Sequence, residues 1–231
     1  MAKAIYDVSV PNIYEVEKAL GDAKDKAPRA MKNAVNQTAT RAKNMMIRQA
    51  KLRYAVSTAG RRHLNQLKLR NRATIQNPTA EIFIKSRRND LADFKSNPTT
   101  PNMGGNWVHS PEYHTGKVLK KSTMEPLTGG KTLLGQGSKG FLVRFKNSDG
   151  STHVGMVQRI IGKPAKNPKP TRWKSKNGII EYLYTMSAPS ASSMHSTVWR
   201  EEVEPESEII LQDRLRHEVE KILMQAGGKK K

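Results

Sequence analysis

The sequence predicts an α+β fold. Apolar residues recur at helical spacing near both ends of the chain, whereas strand-like alternation and hairpin signals are concentrated in the middle. Helices that flank a run of strands are typical of this class. We therefore expect N-terminal helices, a small antiparallel sheet with a long glycine-rich loop, and a long C-terminal amphipathic helix.

Two helices are predicted in the N-terminal part. Asn12 is a suitable N-cap for a short helix that Gly21 weakens. Its shared apolar face would be Ile13, Val16 and Leu20. A longer helix should begin near Ala27, with Pro28 in its first turn. Its stripe would be Met31, Val35, Thr38, Ala42 and Met45. Its cations are expected around the helix instead of in one row: Lys32, Arg41, Lys43 and Arg48.

A third, basic helix is predicted from a cap at Ser57 or Thr58 to about Ala73, with Leu64 and Leu67 facing inward. Its outward residues would be mostly cations: Arg61, Arg62, Lys68, Arg70 and Arg72. Asn77-Pro78 should end this helix, because the residue before proline avoids helical geometry. The alternation over residues 80–85 then indicates a strand.

The middle of the chain is expected to be mostly irregular. Glycine and proline recur so often between about residues 86 and 140 that we expect a large surface loop there. Residues 141–145 and 153–160 then predict a hairpin around Asn147-Ser148-Asp149-Gly150. Proline density over 163–176 predicts an extended basic loop.

The C-terminal part closes the predicted fold. A strand over residues 179–186 should precede a helical segment with Met194 and Val198, and Pro205 should start the last helix. The apolar stripe of that helix would be Leu211, Leu215, Val219, Ile222 and Leu223. We assign residues 1–26 to an N-terminal segment with a short helix, and 27–231 to a single α+β domain.

Charge is the strongest physical signal in the sequence. The 231 residues carry 41 Lys plus Arg against 20 Asp plus Glu, a formal net charge of +21. No acid occurs between Lys26 and Ala80, whereas Glu201 to Glu220 is acid-rich. Such asymmetry can bind a polyanion or can pair the acidic and basic faces of neighbouring subunits, and net charge does not choose between them.

The candidate contact residues follow from this distribution. The basic face comprises Arg41, Lys43, Arg48, Lys51, Arg53, Arg61, Arg62, Lys68, Arg70 and Arg72. A secondary basic loop contains Lys163, Lys166, Lys169, Arg172, Lys174 and Lys176. Tyr54 is the only aromatic residue between Lys26 and Ala80, which disfavours stacking on the bases of a single strand.

Catalytic and cofactor motifs are weak. The absence of cysteine excludes disulfides and thiolate metal sites. The pattern Gly135 to Gly140 matches a dinucleotide fingerprint, but it leads into a predicted strand, whereas the dinucleotide fingerprint follows a strand and opens a helix. Gly129-Gly130-Lys131-Thr132 ends like a P-loop, but Glu125 stands where the first glycine is required. We expect no catalytic residue and no cofactor.

Histidine and membrane signals are weak as well. His109 and His114 are close enough in sequence to share a metal ion, but neither a third ligand nor a scaffold that holds one can be read from the sequence, so no metal site is expected. A metal-dependent nuclease would need these two histidines together with Glu112, which lies between them. We also expect neither a signal peptide nor a membrane span, and therefore synthesis and assembly in a reducing cytoplasm with no membrane partner.

The order of segments is more specific than any one motif. The series is Ala30–Ala39, Arg72-Ala73-Thr74, Asn77–Ile82, Asp90-Leu91 leading to Lys95, Gly140-Phe141, the Gly150 hairpin, Val157-Gln158-Arg159, Gly162-Lys163, Met186–Pro189 and Leu215-Arg216-His217. Over roughly Ala27 to Gln225, it resembles the minor tail protein Z family of tailed bacteriophages and prophages, called tail completion proteins in lambda-like phages. The loop from Ser96 to Gly137 departs from the family pattern.

The resemblance implies a non-enzymatic virion component. Such a protein would complete the phage tail and join it to the head, near the head-proximal end. Implied partners are the tail terminator, tail tube or head–tail connector subunits, further copies of the chain in the particle, and DNA. The implied location is the virion tail, assembled in the host bacterial cytoplasm. The alternative interpretation is a cytoplasmic nucleic-acid-binding protein that uses the acid-free stretch 26–80.

Overall fold

The computed structural model describes residues 2–10, 12–86, 89–101, 114–126, 128–131, 137–161, 171–174 and 180–227. Two compact units share the chain. Unit 1 comprises Met1–Ala50, Leu64–Arg87 and Ser190–Lys231, and unit 2 comprises Lys51–His63 and Arg88–Pro189. These units interleave along the sequence, whereas the sequence-based interpretation places one boundary after residue 26.

The α+β prediction is confirmed: long helical segments lie near both ends of the chain, and the strands form several small antiparallel sheets. Among the described residues, no helix combines the length and apolar character that crossing a bilayer requires.

The N-terminal helices of unit 1 begin where the sequence predicts. Helix α1 (Ile13–Leu20) is capped by Asn12, whose Oδ1 accepts a 3.0 Å hydrogen bond from Tyr14 N. Gly21 follows with φ of 54°, a conformation that favours glycine, and a 3₁₀ turn over Gly21–Lys26 leads on. Val16 and Leu20 are buried, but Ile13 is 44% exposed, so only two residues of the predicted face contribute to the core.

Helix α2 (Ala27–Arg53) confirms the long helix. Its buried stripe includes the predicted Met31, Val35, Thr38 and Ala42. Met46 is buried in place of Met45, which is half-exposed. The buried alanines of this helix allow close packing. Its N-terminal half shares a core with α1 and with Ile222 from the C-terminal part of the chain.

A three-stranded antiparallel sheet in unit 1 consists of β1 (Ala2–Ser9), β2 (Lys68–Asn71) and β3 (Thr79–Ser86), in the order β1-β3-β2. The alternation predicted for β3 is confirmed, since Ala80, Ile82 and Ile84 are buried. Strand β1 was not expected from the sequence. It pairs with β3 along its full length, and this pairing stabilises a strand whose local sequence pattern is weak.

The predicted basic helix to Ala73 was wrong beyond Leu64. Helix α3 is only Arg61–Leu64, and residues 68–71 form strand β2 instead. A helix carrying these cations has no acid at the spacing that would support it, whereas pairing with β3 satisfies backbone hydrogen bonds. The Arg70 guanidinium also lies 5.4 Å from the Phe83 ring centroid, a cation–π distance. Leu64 and Leu67 are buried as predicted, although not on one helix.

The short strands of unit 2 correct the expectation of a single loop over 86–140. They are β4 (Asn89–Asp90), β5 (Lys95–Asn97), β6 (Thr115–Lys117), β7 (Glu125–Pro126) and β8 (Thr128–Lys131), with a 3₁₀ turn over Leu91–Asp93. Strands β5, β6 and β7 form one small sheet. Phe94 and Ser96 are buried, so burial and short-range pairing override the local glycine and proline signals in the described parts of this region.

The predicted hairpin is confirmed in the larger sheet of unit 2. It joins β9 (Gly137–Lys146) to β10 (Thr152–Ile161), and Gly150 adopts φ of 83° in the turn. The sheet continues through β11 (Thr171–Lys174) and β12 (Ile180–Thr185), in the order β11-β12-β10-β9-β8. Residues 171–174 are therefore a strand and not part of an extended loop, because β12 supplies backbone partners. A last strand, β13 (Ser187–Ala188), pairs with β4.

The C-terminal helices belong to unit 1. Helix α4 (Ala191–Val198) continues through a π-helical turn at Trp199–Val203 into α5 (Glu204–Gly227). Pro205 lies at the second position of α5, close to its predicted start. On the predicted stripe, Leu211 and Ile222 are buried, Leu215 and Val219 are half-buried, and Leu223 is exposed.

His195 on α4 is a buried neutral group in the core of unit 1. It is 0% exposed, and its Nε2 lies 2.9 Å from Leu64 O, so Nε2 carries the proton and donates it. Nδ1 has no partner among the described residues. Burial lowers the pKa of His195 to about 4, and the bond to Leu64 O offsets this only in part.

Acid should therefore destabilise unit 1 through His195. The unfolded chain binds this proton below about pH 6.5, whereas the folded chain binds it only near pH 4, so stability falls as the pH decreases through that window. The loss from this residue should be about 3 kcal/mol. His195→Gln places an amide donor where the ring N–H was and removes the titration. The free energy of unfolding, measured with denaturant, should decrease more between pH 7.5 and pH 4.5 for the wild type than for His195→Gln. Equal decreases in the two proteins would contradict this explanation.

Candidate functional site

An open groove of about 570 Å³ lies within unit 1. Helix α2, the segment after β2, and helix α5 contribute to it. The described residues that line it include no acid and no aromatic residue, and all but Met45 are polar or basic: Asn36, Gln37, Thr40, Arg41, Asn44, Met45, Arg48, Arg72 and Arg214. We call this surface the arginine groove, after its four arginines.

Helix α2 forms one wall because its polar residues follow the helical period. Asn36, Thr40, Asn44 and Arg48 are spaced four residues apart, and Arg41 precedes Arg48 by seven residues, close to two full turns. The cations of α2 do not form one row, as expected, but Arg41 and Arg48 share the groove side of the helix. Lys43 lies about 200° around the helix from Arg41 and does not line the groove.

A side-chain clamp holds Arg72 at the groove. Asn36 Nδ2 donates to Ala73 O at 3.0 Å, and Ala73 N donates to Asn36 Oδ1 at 3.0 Å. One amide therefore satisfies both backbone groups of the buried Ala73 and fixes the chain beyond β2 against α2. Arg72, the preceding residue, is thereby held at the groove that Arg41 and Arg48 also line.

A second clamp positions helix α5. Glu218 is only 6% exposed, and its carboxylate accepts from Asn33 Nδ2 at 2.9 Å and from Gln37 Nε2 at 3.2 Å. Arg214 lies one turn earlier on α5 and therefore on the same side of that helix. The two amide donors of α2 thus anchor α5 in the register that adds Arg214 to the groove.

The charges in the groove are not neutralised within the described part of the chain. Arg41, Arg48 and Arg72 are exposed, Arg214 is half-buried, and none of the four has an ion pair or hydrogen bond to another described residue. Glu218 lies one turn from Arg214 on α5, and both of its carboxylate oxygens are already engaged by amides. Guanidinium groups remain protonated and bind oxyanions in bidentate geometry, so the arrangement is suited to an external anion.

The predicted contact residues divide between the two units. Arg41, Arg48 and Arg72 meet in the arginine groove, whereas Lys68 and Arg70 are exposed on β2 of unit 1. Lys51, Arg53, Arg61 and Arg62 belong to unit 2 and do not line the groove. In the secondary basic loop, Arg172 and Lys174 lie in β11, and Lys163, Lys166, Lys169 and Lys176 lie outside the described residues.

The weaker motifs gain no support as sites. Gly137 to Gly140 begin strand β9, and Gly129 to Lys131 lie in β8, so neither pattern opens a helix. His114 is buried, whereas His109 and Glu112 lie outside the described residues. Within the described ranges, no three His, Asp or Glu side chains gather closely enough to hold a metal ion.

Sequence reasoning missed Arg214. It lies in the acid-rich stretch from Glu201 to Glu220, where the local charge pattern suggests an acidic surface. The signal that could have found it is the spacing between Arg214 and Glu218, together with the amide residues Asn33 and Gln37 on a helix that has no acid of its own.

Comparison with known proteins adds no relative: no protein-family model, curated protein or solved structure matches this chain significantly.

Asn36→Ala should destabilise unit 1, because it leaves the N–H and C=O of buried Ala73 without their partner. We expect a loss of about 2 kcal/mol in the free energy of unfolding. Asn44→Ala is the matched control: the residue is exposed two turns further along the same face and makes no hydrogen bond within the described chain. Denaturant unfolding measures both. Equal effects of the two substitutions would show that the clamp does not hold this segment.

Proposed function

We propose that the protein is a non-enzymatic structural component of a bacteriophage or prophage tail, acting in tail completion and head–tail joining near the head-proximal end. The collinear order of segments from Ala27 to Gln225 supports this proposal, because that order resembles the minor tail protein Z family. The fold class is compatible with it, and the extreme positive charge supplies an assembly surface.

The observation that carries the proposal furthest is the arginine groove. It presents four unneutralised guanidinium groups on a clamped surface, which is the form expected of a binding face. In a tail, two kinds of anion could meet it: acidic side chains of a neighbouring subunit, and DNA. Proposed protein neighbours are further copies of the chain and the terminator, tube or connector subunits.

The same groove also favours a second candidate function, that of a cytoplasmic nucleic-acid-binding protein which never enters a particle. Its anion-binding chemistry would be identical, because Arg41, Arg48, Arg72 and Arg214 serve in either setting. The two functions differ in where the protein is found after assembly.

Gradient sedimentation of particles from cells that produce the phage separates these functions. We expect the protein to co-migrate with assembled tails, detected by immunoblot and mass spectrometry, and we expect particles made without it to contain tails that do not join heads. Nuclease treatment before sedimentation is the control, since it removes co-migration that depends only on free nucleic acid. Complete, infectious particles that lack the protein would refute the tail function.

A further inference from the structure

We infer that the ligand of the arginine groove is the sugar–phosphate backbone of duplex DNA, bound without reading the base sequence. This inference deepens the proposed function and rests on it for the source of the DNA, but the binding itself is a property of the isolated chain.

The lining matches the groups that bind phosphate and sugar oxygens. Proteins contact the DNA backbone with Arg and Lys and with the neutral donors of Asn, Gln, Ser and Thr. The arginine groove combines four arginines with Asn36, Gln37, Thr40 and Asn44. Asn36 and Gln37 have their amides engaged in the two clamps, and Thr40 Oγ1 donates to Asn36 O at 2.8 Å. This leaves Asn44, on the exposed face between Arg41 and Arg48, as the neutral donor available to a ligand.

Among the described residues, the groove lacks the aromatic anchors that are typical of a protein-binding site. The energetic centre of a protein interface is usually a desolvated cluster of aromatic and arginine anchors, whereas the arginines of this groove are exposed or half-buried. Among the described residues that line the groove, Met45 is the sole apolar residue type, and it is half-exposed. An acidic protein surface would meet mostly exposed charges here, and exposed ion pairs contribute little to binding because solvent screens them.

The groove also lacks groups that would favour single strands. Binding of single-stranded nucleic acid depends on bases stacked on aromatic side chains. No aromatic side chain of the described residues lines the groove. Binding must therefore rely on the phosphates, whose charge density is higher along a duplex than along one strand.

The spacing of the arginines along α2 fits successive phosphates. Arg41 and Arg48 are separated by about 10.5 Å along the helix axis. Phosphates of one DNA strand advance by about 3.4 Å along the duplex axis, so for an α2 that lies along that axis this separation corresponds to about three of them. The two guanidinium groups can thus pair with different phosphates of one strand, while Arg72 and Arg214 widen the positive surface beside them.

The test is a salt titration of duplex binding by the full chain. The probe is a fluorescently labelled 25-base-pair duplex of arbitrary sequence, and anisotropy is measured at several NaCl concentrations between about 50 and 200 mM. The groove variant is Arg41→Gln, Arg48→Gln and Arg214→Gln combined. The matched control combines Lys18→Gln, Lys24→Gln and Lys85→Gln, which remove the same charge from exposed positions of unit 1 that do not line the groove.

Counterion release sets the expected result. Each lost phosphate contact should reduce the slope of log K against log salt by about 0.9, so the groove variant should lose about 2.7 from the slope while the control stays close to wild type. An unrelated duplex should compete as well as the original one, and a single strand of equal length should compete less well. Circular dichroism verifies that both variants are folded, and single substitutions replace the triple variant if it is not.

Three outcomes would overturn the inference: equal slope losses in the groove variant and the control, no measurable duplex binding by the wild type, or preferential binding of the single strand. A groove variant that retains duplex binding but no longer enters tails would assign the groove to an acidic neighbour, leaving the tail function intact. Groove-dependent duplex binding by a protein absent from tails would instead refute the tail function and leave the inference standing.

Discussion

The arginine groove of unit 1 depends on two side-chain clamps. Like charges on one surface repel one another, so the segments that carry the four arginines need other contacts to hold them together. Asn36 binds both backbone groups of Ala73, and Glu218 accepts from Asn33 and Gln37. The groove is thus formed before any ligand arrives, which reduces the entropy cost of binding.

Helix α2 contributes one face to the core of unit 1 and another face to the arginine groove. One stripe of α2 is buried and rich in alanine, so α1 and α5 can pack against its N-terminal half, while the other stripe carries amides and arginines. Helix α2 has no acid, and it contributes only neutral amides to the two clamps, those of Asn36, Asn33 and Gln37. A lysine in place of Asn33 or Gln37 would pair with Glu218 but would bring another charge to the groove.

Local signals predicted the elements that local chemistry stabilises. The Asn12 cap, the long α2, the Gly150 hairpin and the stripe of α5 follow from caps, turn residues and periodicity, and all are present. The helix expected to reach Ala73 and the missed strand β1 depend on pairing with β3, which no local window contains. Arg41, Arg48 and Arg72 were predicted from charge alone, but their meeting with Arg214 depends on the Glu218 contact, made between residues that are remote in sequence.

The central claim, that the groove is where this protein meets its anion, is most directly tested by arginine-specific chemical footprinting. The full chain is modified with phenylglyoxal in the presence and absence of duplex DNA, and each arginine is quantified by mass spectrometry. The account predicts that Arg41, Arg48, Arg72 and Arg214 become protected together while the exposed Arg200 and Arg216 do not. Uniform protection of every arginine, or protection that leaves these four unchanged, would contradict it.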